Sequence, residues 1–256
     1  MQTVDKAMHV LGFFSVGQPE IGLSDLTRLA GFDKAATHRF LVALSKHGFI
    51  EQNPDNKKYR LGPGFLKLAR IRETMFPASK LTQPLVDWLT AETGETAHAS
   101  VLGNGSLTTA TFSEPVRGSI VHIDPGESVP FHATASGLVF LGFSAMDQRE
   151  QYISRPLPKL TSGTVTDESK LTRLIKRAQK NGYCISANGI EDGVTGLAVP
   201  YFTSDATVAG TLAIAAPNSR LSSERSSELV NLLFQASDRA THGLGGVTPS
   251  EFPASN

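Results

Sequence analysis

The stretch LSDLTRLAGFDKAATHRFLVALSKHGFIEQNPDNKKYRLG, residues 23–62, decides the fold of the first part of this chain. Ser24 can cap a short helix over 25–30 that stops at Gly31, and Asp33 can cap a longer one over 34–47 that stops at Gly48. Gly31-Phe32-Asp33 is the short glycine-bearing turn that joins two crossed helices. Phe49-Ile50-Glu51 and Lys58-Tyr59-Arg60-Leu61 then alternate as two strands around Asn53-Pro54-Asp55-Asn56. Upstream, Val4, Met8, Leu11 and Phe14 share one face of a first helix from about Thr3 to Phe14. A helix, a helix-turn-helix and a basic hairpin in this order predict a winged helix-turn-helix. That module sets one helix in the major groove of DNA and a wing on the flanking backbone.

The helix over 34–47 divides by angle at about 100° per residue. Ala36, Phe40 and Leu44 share one side and are expected to pack inward. Lys34, Ala35, His38, Val42 and Ser45 lie opposite, flanked by Arg39 and Lys46. Small, polar and basic groups there allow close approach to base edges. The predicted DNA-contacting set is Lys34, Ala35, Thr37, His38, Arg39 and Ser45 on the helix, with Lys57, Lys58 and Arg60 on the wing. The wing cations are expected to hold phosphate, which positions the protein without reading sequence.

Charge supports the division. Residues 1–75 hold 11 Lys/Arg against 7 Asp/Glu, a net of +4, and residues 76–256 hold 13 against 17, a net of −4. Only the first part therefore has the sign suited to phosphate. The single cysteine, Cys184, excludes an intramolecular disulfide framework and a multi-cysteine zinc site. The apolar runs fall far short of the ~18 residues that a membrane span needs. The start, MQTVDKAMHV, lacks a basic region leading into an apolar one, so a cytoplasmic location is expected.

Beyond Gly62-Pro63-Gly64 the pattern predicts a linker helix at about 65–75 and another helix at 81–93. Strands are expected at 96–102 and 107–113 around Gly103-Asn104-Gly105, and near Ser119–Ile123. A helix from Ala135, a helix over 167–181 ending at Gly182, strands at 183–187, 195–202 and 208–215, and a last helix over about 223–240 follow. Antiparallel strands with helices on one side make this an α+β domain. The expected organisation is a DNA-binding domain over 1–62, a linker helix over 63–79, an effector domain over 80–242 and a disordered tail over 243–256.

The segments VDKAMHVLGFF, LSDLTRLAGFDKAATHRFLVALSKHGFIEQ and YRLG resemble the IclR family of bacterial transcriptional regulators. So do GESVPFHATASG, NGYCISANGIEDGVTGLAVPYF and GTLAIAAP farther on, so that the resemblance runs from residue 1 to about 242. It implies a GAF-like effector-binding second domain, a homodimer or tetramer, and double-stranded operator DNA as partner. Carried over, the family's effector pocket falls on Val121, Val129, Ala135, Ser136, Ser186, Val194, Gly196, Ala213 and Ala215. Glu191 is added as an acceptor. Relatives that bind small carboxylates carry polar or thiol groups at several of these places. Gly196, Ala213 and Ala215 offer none here, which implies a larger, less polar effector such as an aromatic acid.

No cofactor, metal or catalytic residue is expected. The 7 histidines show no H-x-x-x-H spacing. His132 near Ser136 invites a nucleophile reading, but Ser136 and Thr134 in the HATASG turn are better suited to helix capping or ligand hydrogen bonds, and Cys184 to a buried structural thiol. Repression is the default reading. Activation within the same family and a nonspecific architectural DNA-binding protein stay open as alternatives.

Overall fold

The computed structural model describes residues 3–15, 17–75, 78–103, 105–116, 120–123 and 128–253. The chain divides into two compact units, Met1–Pro77 and Ala78–Asn256.

The first unit opens with α1 (Thr3–Leu11), shorter than the sequence pattern suggests, followed by α2 (Leu23–Ala30) and α3 (Lys34–Lys46). Gly22, not Ser24, stands at the N-cap of α2, and no side chain caps it. Gly31 ends α2 with φ +67°, a left-handed conformation that a β-carbon would strain, and the turn into α3 depends on it. Asp33 caps α3 as its sequence position predicts, its carboxylate accepting from Ala36 N at 2.7 Å. The wing pairs β1 (Ile50–Gln52) with β2 (Tyr59–Leu61) in antiparallel register, Glu51 opposite Arg60. Ile21 bridges to Tyr59, which ties the loop before α2 to the wing. Val10, Ile21, Leu26, Ala30, Leu41, Ile50 and Tyr59 form the core that holds these pieces. The unit ends with α4 (Gly64–Met75), where the linker helix was expected.

The second unit is built on six antiparallel strands in the order β5-β4-β3-β8-β7-β6. These are β3 (Thr96–Gly103), β4 (Ser106–Ser113), β5 (Ser128–Val129), β6 (Cys184–Ala187), β7 (Val194–Phe202) and β8 (Val208–Pro217). Helices cover both faces, not one. On one side α5 (Ala78–Thr93) and α9 (Ser223–Gly243) bury Leu85, Leu89, Leu229 and Leu233 against Ala97, Val199, Leu212 and Ile214. On the other, α6 (Ala135–Phe143) and α8 (Glu168–Asn181) bury Leu138, Val139, Leu171 and Ile175 against Leu107, Ala198 and Ala213. The short α7 (Met146–Ile153), with no buried residue of its own, carries too weak an apolar pattern to be predicted. Residues 120–123 form no strand, and Ser119 lies outside the described residues. No described helix is long and apolar enough to cross a membrane.

The tail departs from its expected disorder. Gly246 N donates to Thr241 O at 2.7 Å and Val247 N to Thr203 O at 2.9 Å. The Phe252 ring then meets Phe202, Phe143 and Phe234 at 5.2–5.8 Å between centroids. One aromatic residue in a polar, glycine-rich stretch is enough to dock it, because a ring buries far more apolar area than its neighbours. Replacing Phe252 with Ala is therefore expected to lower the stability of this unit by about 1–3 kcal/mol, read from urea unfolding. An unchanged midpoint would show that the tail does not pack in solution.

Candidate functional site

In the first unit, α3 turns outward the groups that can meet a ligand. Lys34, Ala35, His38, Arg39 and Ser45 are all exposed. Thr37, grouped with them on sequence grounds, is not. It is fully buried, and its hydroxyl donates to Asp33 O at 3.0 Å. Thr37 and Leu41 form the innermost stripe of the helix, with Ala36, Phe40 and Leu44 half-buried beside it. The buried stripe is thus displaced from the one read by angle, and Thr37 follows it inward.

At the wing, Lys57 and Lys58 are exposed at the hairpin tip, Lys57 with φ +59°. Arg60 has a different environment. Its Nε donates to Glu51 Oε1 at 2.6 Å and its Nη1 to Glu20 Oε1 at 3.4 Å. Glu20 also accepts from Asn53 Nδ2 at 3.0 Å and Asn56 Nδ2 at 2.7 Å. The Asn53 and Asn56 hydrogen bonds, with the Arg60 charge behind them, hold its carboxyl below the usual range. Glu20 therefore anchors the wing, a role its place in the loop before α2 did not reveal. Two carboxylates already engage the Arg60 guanidinium.

The second unit encloses a cavity of about 390 Å³ between the sheet and the start of α6. The nine residues carried over for the effector, Val121, Val129, Ala135, Ser136, Ser186, Val194, Gly196, Ala213 and Ala215, all line it, as does Glu191, added as an acceptor. The register explains the floor: Gly196 pairs with Ala215 and Ala198 with Ala213, a row with almost no side-chain volume. Thr134 fixes the entry to α6, accepting from Gly137 N at 3.0 Å and donating to Pro130 O at 2.9 Å. Thr96 donates to Val121 O at 2.7 Å and holds segment 120–123 over the sheet. Gly189 lets the loop after β6 lie against Ala133 O, a space that any β-carbon would fill. Thr164 braces that loop by donating to Gly189 O at 2.7 Å.

His98, Thr109, Ile123 and Ile190 also line the cavity and were not anticipated. His98 sits on β3 opposite Ala213, so only the strand order brings it there. Burial pushes its imidazole down to about 4, and no charged group contributes. Its Nε2 lies 3.5 Å from Ser136 Oγ. This pair is not a nucleophile and its base in a triad, since Nδ1 has no partner to orient it. His132 is committed elsewhere: Nε2 donates to Pro158 O at 2.8 Å, so Nδ1 accepts from Tyr152 OH at 2.9 Å. Burial pushes the Cys184 thiol up to about 12, which leaves it protonated and inert. Among the described residues no cluster of His, Cys, Asp or Glu could hold a metal.

A winged helix-turn-helix with an exposed basic face, joined in one chain to an α+β unit around a cavity, defines a DNA-binding regulator with a small-molecule domain. The family model for the IclR helix-turn-helix domain matches residues 3–54, and that for the bacterial transcriptional regulator IclR C-terminal domain matches residues 76–242. The chain belongs to the IclR family of bacterial transcriptional regulators. It is 27% identical to the HTH-type transcriptional regulator XynR of Escherichia coli over 96% of its length and 98% of that protein. The crystal structure of an IclR-type protein from Silicibacter sp. TM1040 matches with 37% identity and a TM-score of 0.82, covering 99% of this chain and 100% of that one. An IclR homologue from Microbacterium hydrocarbonoxydans in complex with 4-hydroxybenzoate matches with 26% identity and a TM-score of 0.60, over 95% and 99% of the chains.

The neutral state of His98 has a consequence for stability. The folded protein protonates it at about 4, against 6.5 for the free side chain. Between those values the unfolded chain binds the extra proton, so stability falls as pH drops from about 6.5 towards 4. Replacing His98 with Gln is expected to remove up to about 3 kcal/mol of that loss, read as the difference between the two pH–stability curves from urea unfolding. Parallel curves would show that His98 is solvated.

Proposed function

We propose that this protein is a cytoplasmic repressor whose grip on operator DNA changes when a small metabolite enters the cavity of the second unit. The observation that carries the reading is the cavity whose lining includes all nine family-derived positions and Glu191, in the same chain as an outward basic α3. A ligand that binds one conformation better shifts the DNA-competent population by that difference. The small side chains at Gly196, Ala213 and Ala215 support an effector larger and less polar than a short carboxylate, such as an aromatic acid. The relative crystallised with 4-hydroxybenzoate supports this class.

The DNA contacts proposed are Lys34, Ala35, His38, Arg39 and Ser45 at the groove and Lys57 and Lys58 on the backbone. Arg60 serves as a wing brace through Glu20 and Glu51. Two copies are needed to read a pseudo-palindromic operator with half-sites about 34 Å apart or a multiple of it. Val4 and Met8 on α1 and Leu66, Leu68 and Ile71 on α4 are exposed apolar residues of the first unit and suit a contact between copies.

Binding of the purified protein to fragments of its own upstream region, at several salt concentrations, tests this reading. Arg39→Ala is expected to weaken the specific site by about 10- to 100-fold and to relax its sequence preference. Lys57→Ala should weaken all DNA alike and lower the salt slope by about one. Arg60→Ala should leave that slope nearly unchanged, because its charge is already paired. Equal affinity for scrambled DNA would favour the architectural alternative.

A further inference from the structure

The wall of the cavity carries a histidine whose hydrogen-bonding capacity the protein leaves unused. His98 Nδ1 is shut off from solvent without a partner. Its Nε2 meets only Ser136 Oγ, at 3.5 Å, outside the range of about 2.7–3.2 Å of a formed bond. On the same sheet face, two residues along β3, Ser100 pairs with Thr211, and both hydroxyls are buried without a partner. Native proteins satisfy nearly all buried polar side chains, but Ser100 and Thr211 lie outside the cavity lining and Nδ1 is shut off from it, so it is the loosely engaged Nε2 that a partner from outside the chain can reach.

The charge of the lining narrows that partner. Among the described lining residues there is no Lys or Arg, the one carboxylate, Glu191, is exposed, and the second imidazole, His122, lies at the exposed rim with Nδ1 3.2 Å from Glu114 Oε1. Burial keeps the His98 ring neutral near pH 7. The remaining surface is mostly Val, Ala, Ile and Gly.

We propose that His98, together with Ser136, is the specificity-determining element of this cavity and takes an uncharged hydroxyl group on a ring-sized ligand. The inference rests on the effector-cavity reading above and adds a residue and a chemical class to it. A neutral imidazole offers one donor and one acceptor, and so does a hydroxyl. A ligand hydroxyl can therefore bridge Nε2 and Ser136 Oγ, donating to one and accepting from the other, which the 3.5 Å gap leaves incomplete. A methyl group in its place leaves both protein atoms unsatisfied. A carboxylate can only accept, and among the described lining residues it finds no Lys or Arg.

Two matched ligand pairs isolate the hydroxyl: phenol with toluene, and 4-hydroxybenzoate with 4-methylbenzoate. Calorimetric titration of the full-length protein is expected to show each hydroxyl compound binding about tenfold more tightly than its methyl twin. In His98→Phe, which keeps a ring and removes both nitrogens, the preference should disappear while the methyl compounds bind as well or better. Ser136→Ala should reduce the preference several-fold and, as a minimal change at the start of α6, reads the same element if His98→Phe does not fold. Equal binding of the twins, a preference that survives both substitutions, or no binding of either pair would overturn the proposal. DNA affinity measured alongside separates the two levels. A hydroxyl preference with unaltered DNA binding sustains the His98 assignment and removes the regulatory coupling instead.

Discussion

The second unit depends on one packing constraint: where α6 begins, the sheet face beneath it must be almost free of side-chain volume. Gly196, Ala213 and Ala215 supply that face, and their register across β7 and β8 makes it contiguous. Farther along the same face Leu138, Val139 and Phe140 of α6 close down on the sheet as an ordinary core. The helix is thus fixed at one end by apolar burial and held off at the other by the small residues under its first turn. The cavity is what remains between. Thr96, Thr134 and Thr164 keep its roof in place with hydrogen bonds to backbone carbonyls and not with bulk.

Such a wall is selective through what it withholds. Among the described lining residues no Lys or Arg compensates a charge, and the most deeply set polar groups are neutral hydroxyls and one imidazole that burial keeps unprotonated. In a site of this kind, apolar contact sets affinity and a few unsatisfied polar atoms set orientation. The first unit is organised on the opposite principle. Its working face is exposed and charged, and its buried groups serve to aim it. Glu20 shows this most plainly: one carboxylate in a loop gathers Asn53, Asn56 and Arg60, and so ties the wing to the body of the unit.

The helix-turn-helix was legible because its signals are local. A cap at Asp33, a left-handed glycine at Gly31 and an alternating hairpin each act within a few residues, and each stands where the pattern put it. The failures are equally physical. Thr37 sits at the boundary of the apolar stripe, and whether such a residue turns inward depends on how α1 and α2 pack on α3, which no angular reading contains. Arg60 stays part-exposed at the wing, and its pairing with Glu20, forty residues away, is invisible to a local pattern. Phe252 docks a tail of disordered composition because its pocket is assembled from three distant rings.

The sequence by itself determined the two-part organisation, the sign of the charge on each part, most element positions and, through family likeness, nine residues that share one cavity. These follow from periodicities, caps and turns that each residue carries with it. The tertiary structure alone decided that His98 belongs to that cavity, that its Nδ1 lacks a partner and that its Nε2 meets Ser136 only at long range. Strand order in an antiparallel sheet is a global property. β3 lies beside β8, more than a hundred residues away, and only that pairing brings His98 opposite Ala213 and within reach of Ser136.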